Sequence, residues 1–236
     1  MSAQPEPFVI AVDGPAAAGK GTLARRLAEH LGYAYLDTGA LYRAVGIKTI
    51  RAGGDPDDAE AAARAARALA AEDLSHPDLR GDAAAQAASK VAAQPAVRAA
   101  LLDFQRRFAS APPGGRGAVL DGRDIGTVVC PDAQVKLFIT ASLPVRAERR
   151  LRELRDRGAA VIHSTVLRDM KERDARDSAR ELAPLRPAAD AYVIDTSDLD
   201  PDTVFSVALA RARLRLAATQ ENGGVGAAGL SGNPRQ

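Results

Sequence analysis

Cysteine is nearly absent from this 236-residue chain: Cys130 stands alone, which excludes an internal disulfide framework and a thiolate metal site. It sits in the apolar run Val128-Val129-Cys130 and reads as a small buried hydrophobe. The three histidines, His30, His76 and His163, lie far apart with no ligand spacing and read as surface or structural residues. Tryptophan is missing, and only five Phe and four Tyr occur. Packing must therefore rely on Leu, Val and Ala, with helices close against a sheet. No apolar stretch reaches the length needed to span a bilayer. Met1 to Pro7 lacks the charged and apolar regions of a secretory signal, so the chain is expected in the cytoplasm. The net charge is only +2, with no polybasic block and no basic stripe interleaved with aromatics. That argues against nucleic-acid and membrane partners.

Arginine and phosphate-type loop chemistry are present instead. Of the 32 basic residues 27 are arginine, the side chain whose planar fork grips phosphate through two parallel hydrogen bonds. Near the N-terminus runs Gly14-Pro15-Ala16-Ala17-Ala18-Gly19-Lys20-Gly21-Thr22. The apolar run Phe8 to Val12 precedes it, and Leu23, Ala24, Leu27, Ala28 and Leu31 follow at helical spacing, with Gly32 at the expected C-cap. Strand, glycine loop and helix form the context in which G-x-x-x-x-G-K marks a phosphate cradle. Gly14 and Gly19 let successive N–H groups turn inward, the helix start adds partial positive charge, and Lys20 supplies a full one. Gly21 replaces the usual hydroxyl residue after the lysine, so Thr22 is the nearest hydroxyl for a magnesium ion. These features predict a nucleoside triphosphate site.

The remaining pattern alternates short apolar runs with amphipathic stretches, predicting a mostly parallel sheet wrapped by helices. Strands are expected at 33–36, 118–120, 135–139 and 192–194 besides the first. Asp37, Asp121 and Asp195 follow three of them, at the edge where open α/β sheets bind ligands. Asp200-Pro201 starts a last helix with Val204, Val207, Ala208 and Leu214 directed inward. From Glu221 to Gln236 periodicity stops, and that tail is expected to be disordered. An Ala-rich helical stretch, about 38–115, is too long for a simple crossover and predicts an inserted lobe. A charged stretch, about 155–187, precedes the final strand and is placed to act as a lid. The expectation is a single domain over 1–220, its core at 8–37 and 117–217.

Asp37-Thr38-Gly39-Ala40-Leu41-Tyr42-Arg43 follows the second strand and Asp121-Gly122-Arg123-Asp124 the third. Taken alone, the first reads as a capped helix start and the second as a turn with a local salt bridge. Together with the phosphate loop they suggest a second phosphate site facing the first. On these residues, and on Asp13-Gly14-Pro15, Ser89-Lys90-Val91-Ala92-Ala93, Pro95-Ala96-Val97-Arg98, Gln105-Arg106, Gly126-Thr127-Val128-Val129 and Lys171 to Arg180, the chain resembles the bacterial cytidylate kinases. The matches run in family order across nearly all of residues 8–217.

The resemblance implies a P-loop kinase fold: an α/β domain with a five-stranded parallel sheet, a monophosphate-binding insertion and a lid. It implies transfer of the γ-phosphate of ATP to CMP or dCMP with Mg²⁺, in pyrimidine metabolism, by a monomer. ATP would lie on residues 14–22 (Gly14, Pro15, Ala16, Ala17, Ala18, Gly19, Lys20, Gly21 and Thr22). Lys20, Arg123 and Arg173 would be catalytic, with Arg43 and Arg123 holding the acceptor phosphate. Asp37, Thr38 and Tyr42 would line the CMP site. Ser89, Arg98 and Asp124 would read the cytosine, and Asp177 and Arg180 would approach the sugar. Thr22 would meet the metal, with Asp37 and Asp121 near it through water. The chain departs from the family's longer form in a shortened Ala59 to Ser75 region and in Gly81, where threonine is usual. Another small-molecule P-loop kinase would keep the loop but has no use for the Ser89, Arg98 and Asp124 set. A GTP switch would need an Asn-Lys-x-Asp element, and the only asparagines are Asn222 and Asn233.

Overall fold

The protein is described here by a computed structural model covering residues 6–225. Its centre is β1 (Phe8–Asp13), whose six residues are all buried. Burial on both faces explains why this segment is a continuous apolar run rather than an alternating one. Four strands join it: β2 (Ala34–Asp37), β3 (Gly117–Gly122), β4 (Val135–Thr140) and β5 (Tyr192–Asp195). All pairings are parallel, in the order β2-β3-β1-β4-β5. The register sets Asp121 opposite both Val12 and Asp37, and Asp13 opposite Gly122. Three carboxylates therefore emerge at one sheet edge.

Side chains of β1 alternate between two apolar layers. Ile10 and Val12 pack with Leu23 and Leu27 of α1 (Lys20–Leu31) and with Val204 and Ala208 of α8 (Pro201–Val225). Val9 and Ala11 pack instead with Leu120 and with Leu102, Phe108 and Ala109 of α5 (Pro95–Ser110). Gly32 ends α1 with φ of 66°, the left-handed cap that glycine adopts without a Cβ clash.

Between β2 and β3 lie α2 (Thr38–Arg51), α3 (Ala59–Arg67), α4 (Asp82–Val91) and α5, with short 3-10 turns at Ala71–Ser75 and Pro77–Arg80. They share a separate core of Leu41, Tyr42, Val45, Ala62, Val91, Val97 and Leu101. After β4, α6 (Leu143–Asp156) and α7 (His163–Ser178) pack through Leu151, Leu154, Val166 and Met170. Two expectations need correction. Leu214 is 67% exposed, and Leu209 and Ala212 lie on the buried face of α8 in its place. Six residues beyond Ala208, Leu214 falls on the opposite side of a 3.6-residue turn. The helix also runs through Val225, five residues into the stretch expected to lack order, and 226–236 lie outside the described residues. No helix among the described residues is long and apolar enough to cross a membrane.

Candidate active site

The loop between β1 and α1 is shaped by its backbone. Gly14 has φ of 146°, and a Cβ there would lie 1.9 Å from the Ile139 carbonyl oxygen, so the loop tolerates no side chain where it leaves the sheet. Gly19 and Ala17 also take positive φ, 91° and 58°; the alanine is held in a conformation that non-glycine residues usually avoid. Lys20 follows as the first residue of α1 and is 8% exposed. Burial, reinforced by Arg123, pushes its ammonium down to about 7. A cation so poorly solvated gains strongly from an incoming anion.

Beside Lys20 opens a polar cleft of about 100 Å³. Around it the structure brings together Asp37, Thr38, Tyr42 and Arg43 from β2 and α2, Ser89 from α4, and Arg98 from α5. Asp121, Arg123 and Asp124 reach it from β3 and its following turn, and Arg173, Asp177 and Arg180 from α7 and just beyond. Thus the expected acceptor and catalytic residues share one enclosure. The loop residues on the other flank, Ala18, Gly19 and Thr22, line a separate cavity of about 750 Å³.

Specific pairings give the polar cleft its shape. Asp37 accepts from the Ala40 N–H at 3.0 Å, capping α2, and from Arg43 at 2.7 Å. Thr38 Oγ1 donates to the Asp121 carbonyl, and Tyr35 to Asp121 Oδ2 at 2.8 Å. Asp177 collects most: Ser89 Oγ at 2.7 Å, Arg180 at 2.5 Å and Arg123 Nε at 3.3 Å, with Arg173 Nε 3.9 Å away. Burial alone would push the Asp177 carboxyl up, but Arg123, Arg180 and Arg173 outweigh it and hold the group below the usual carboxylate range. Arg173 and Arg180 each keep a buried Nε without a hydrogen bond. Donors in this cluster exceed acceptors, which suits an anionic guest.

The Asp-Gly-Arg-Asp turn does not close a local salt bridge. Arg123 reaches across to Asp177, while Asp124 pairs with Arg98, whose guanidinium also lies 5.9 Å above the Tyr42 ring. Asp124 is 4% exposed, and burial raises its carboxyl despite the Arg98 cation. Ser89 spends its hydrogen on Asp177, leaving the oxygen lone pairs as acceptors.

Two carboxylates, Asp37 and Asp121, lie near Lys20. Among the described residues no three His, Cys, Asp or Glu side chains converge on one point. Asp121 is buried, and burial together with the nearby Asp37 raises its carboxyl. A Cβ on Gly21 would come within 3.1 Å of Asp121 Oδ2, so glycine after the lysine leaves this carboxylate open to the loop. Two like-charged carboxylates beside a side-chain-free gap fit a hard, hydrated cation.

Several residues escaped sequence reasoning. Arg146 on α6 is buried and donates to the carbonyls of Ala141 and Ala16 and to Asp174, tying the β1–α1 loop to α7. Arg149 grips Thr196 through both its hydroxyl and its carbonyl, forming a wall of the larger cavity with Arg26, Pro144 and Leu199. Their signal was dissolved in a general excess of arginine. Cys130 is half-buried against the Val9, Ala11 and Leu120 cluster, and burial pushes its thiol up to about 11.

A sequence profile described as cytidylate kinase matches residues 10–214. The cytidylate kinase of Paramagnetospirillum magneticum is 69% identical over 201 residues, covering 85% of this chain and 95% of that protein. Those of Rhodospirillum rubrum and Granulibacter bethesdensis are 62% and 61% identical, covering 86% and 84% of this chain and 95% and 93% of their own lengths. With the profile spanning most of the chain and identities of this order over nearly the whole length of the relatives, the chain belongs to the cytidylate kinase family.

Proposed function

We propose that this chain transfers the γ-phosphate of ATP to CMP and dCMP, yielding ADP and CDP or dCDP, and acts as a cytoplasmic monomer. The observation that carries the reading is one cleft uniting Lys20, Arg43, Arg123 and Arg173 with the buried Arg98–Asp124 pair. Phosphate chemistry and base selection then meet in a single enclosure. ATP lies along residues 14–22, with its nucleoside in the cavity flanked by Arg26, Arg149 and Thr196.

The acceptor is already an anion, so its attack needs no strong general base. The reaction needs alignment and positive charge around the equatorial oxygens. Arg43 and Arg123 hold the acceptor phosphate, drawn away from their carboxylate partners Asp37 and Asp177. Lys20 and Arg173 face the phosphoryl group in transfer, where one arginine contributes roughly 10³-fold or more. The Thr22 hydroxyl, with Asp37 and Asp121 through water, would hold Mg²⁺, which would supply neutralisation of charge on the phosphate oxygens.

The cytosine edge presents an amine beside acceptors. Asp124 and Ser89 accept from the amine, and Arg98 donates to the 2-carbonyl. Uracil sets a carbonyl against the Asp124 carboxylate, which disfavours it. Asp177 and Arg180 border the sugar. The test is ADP release by purified protein with ATP, Mg²⁺ and each of CMP, dCMP, UMP, AMP and GMP. Fast turnover with CMP and dCMP is expected; robust turnover with AMP but not CMP would contradict the proposal.

A further inference from the structure

Asp13 ends β1 immediately before Gly14, is 5% exposed, and lines neither cavity of the site. Its two carboxylate oxygens accept from two consecutive backbone N–H groups, Ile125 and Gly126, each at 2.8 Å. Those donors open a short π-type turn, Ile125–Val129, more than a hundred residues away in sequence. The first N–H groups of such a turn have no partner within it and need an acceptor.

The local candidate for that task is Asp124, the residue at the turn's N-cap. Asp at this position commonly caps its own turn, yet the Asp124 side chain makes no cap bond and goes to Arg98. Only its backbone carbonyl serves the turn, accepting from Val128 and Val129. The cap comes instead from the neighbouring strand. A Cβ on Gly126 would press on the Lys136 side chain at 3.1 Å and reach ordinary contact with Asp13 Oδ2 at 3.4 Å, so the turn packs closely against both.

We propose that Asp13 is a positioning residue for the acceptor site. By capping the turn from β1 it releases Asp124 for Arg98 and the pyrimidine edge, and it locks the turn carrying Arg123 and Asp124 to the start of the phosphate loop. Donor and acceptor machinery thus share one rigid joint, which in-line transfer requires. The inference rests on the CMP kinase reading above and extends it to a residue that touches neither substrate.

An amide at position 13 keeps one acceptor and turns an NH₂ group toward the other backbone N–H. One buried donor loses its partner, and Asp124, at the turn's N-cap, stands where a side chain commonly supplies that acceptor. Drawn to the cap, Asp124 leaves Arg98 and the base. The test is steady-state kinetics of Asp13→Asn and Asp13→Glu with CMP and UMP, alongside KM for ATP and Tm. For Asp13→Asn the CMP-to-UMP ratio of kcat/KM is expected to fall about tenfold or more, the worth of one charged hydrogen bond. The KM for ATP should stay within about twofold, since the loop's phosphate-binding N–H groups are untouched. Asp13→Glu keeps both oxygens and should retain more of the ratio.

A purely structural cap would lower Tm and scale CMP and UMP by one factor, so an unchanged ratio with an active wild type overturns the inference alone. Failure of both variants to fold overturns it too, because Asp13 would then serve the fold rather than the site. A wild type without CMP turnover would overturn the reading beneath it and the inference with it.

Discussion

Replacing Asp124 by Asn perturbs base selection while leaving the shape of the side chain intact. Asp124 is 4% exposed and paired with Arg98, whose side chain is 10% exposed. The substitution removes a charge from this pair, and that loss weighs on every pyrimidine alike. The substrate-dependent part lies at position 4 of the base. A carboxylate only accepts hydrogen bonds, so it favours the cytosine amine and repels the uracil carbonyl; an amide can turn its NH₂ toward that carbonyl. One charged hydrogen bond is worth about 1.5–3 kcal/mol. The CMP-to-UMP ratio of kcat/KM should therefore fall by roughly 10- to 150-fold, kcat/KM for UMP rising by that factor relative to that for CMP. Steady-state kinetics with both nucleotides, checked against the Tm of the variant, measures it. A ratio within about twofold of wild type would refute base reading by Asp124. Arg98→Ala makes the matching control: both pyrimidines carry the 2-carbonyl, so both should weaken.

Lys20→Ala should lower kcat by roughly 10²–10³-fold, the effect of losing one preorganised donor, without lowering Tm, because burial already disfavours this cation; near-normal turnover would remove the loop from the donor site. Arg43→Ala should raise KM for CMP about tenfold or more and spare that for ATP; equal losses would contradict its assignment. Asp177→Asn leaves Arg123, Arg173 and Arg180 without their shared anion, and should destabilise the fold by about 3–5 kcal/mol. Sulfate should raise the Tm of that variant more than that of wild type, and an equal sulfate response would refute the clustering argument. Burial pushes the Cys130 thiol up to about 11, so iodoacetamide should label the folded protein near pH 8 roughly a hundredfold more slowly than the urea-unfolded chain, the rate climbing about tenfold per pH unit. A flat or fast profile would show a free thiolate.

Local patterns were legible and long-range ones were not. The loop from Gly14 to Thr22 declares itself because strand, glycines, lysine and helix are contiguous, and Asp37 and Asp121 stand out because each closes an apolar run. Pairing across the sheet edge has no such trace. Arg123 and Asp124 are neighbours in sequence, yet successive side chains diverge at the strand end, and their partners come from α7 and α5. The Asp13 contacts join β1 to a turn beyond β3, a closeness created only by parallel pairing of the two strands. Arg146 and Arg149 were hidden among charged helical residues that read equally well as a solvated face. Leu214 misled because α8 is rich in Ala, Leu and Arg on several sides, so its apolar stripe is ambiguous until packing selects one.

The central claim is phosphoryl transfer from ATP to a cytidine monophosphate, and the most direct test follows the phosphorus itself. Purified protein is mixed with Mg²⁺, CMP and ATP carrying a radioactive γ-phosphate, and the products are separated after a single turnover. Label is expected in the β-phosphate of CDP at the rate of ADP formation, with little label in inorganic phosphate. Label appearing as inorganic phosphate while CMP stays unmodified would contradict it.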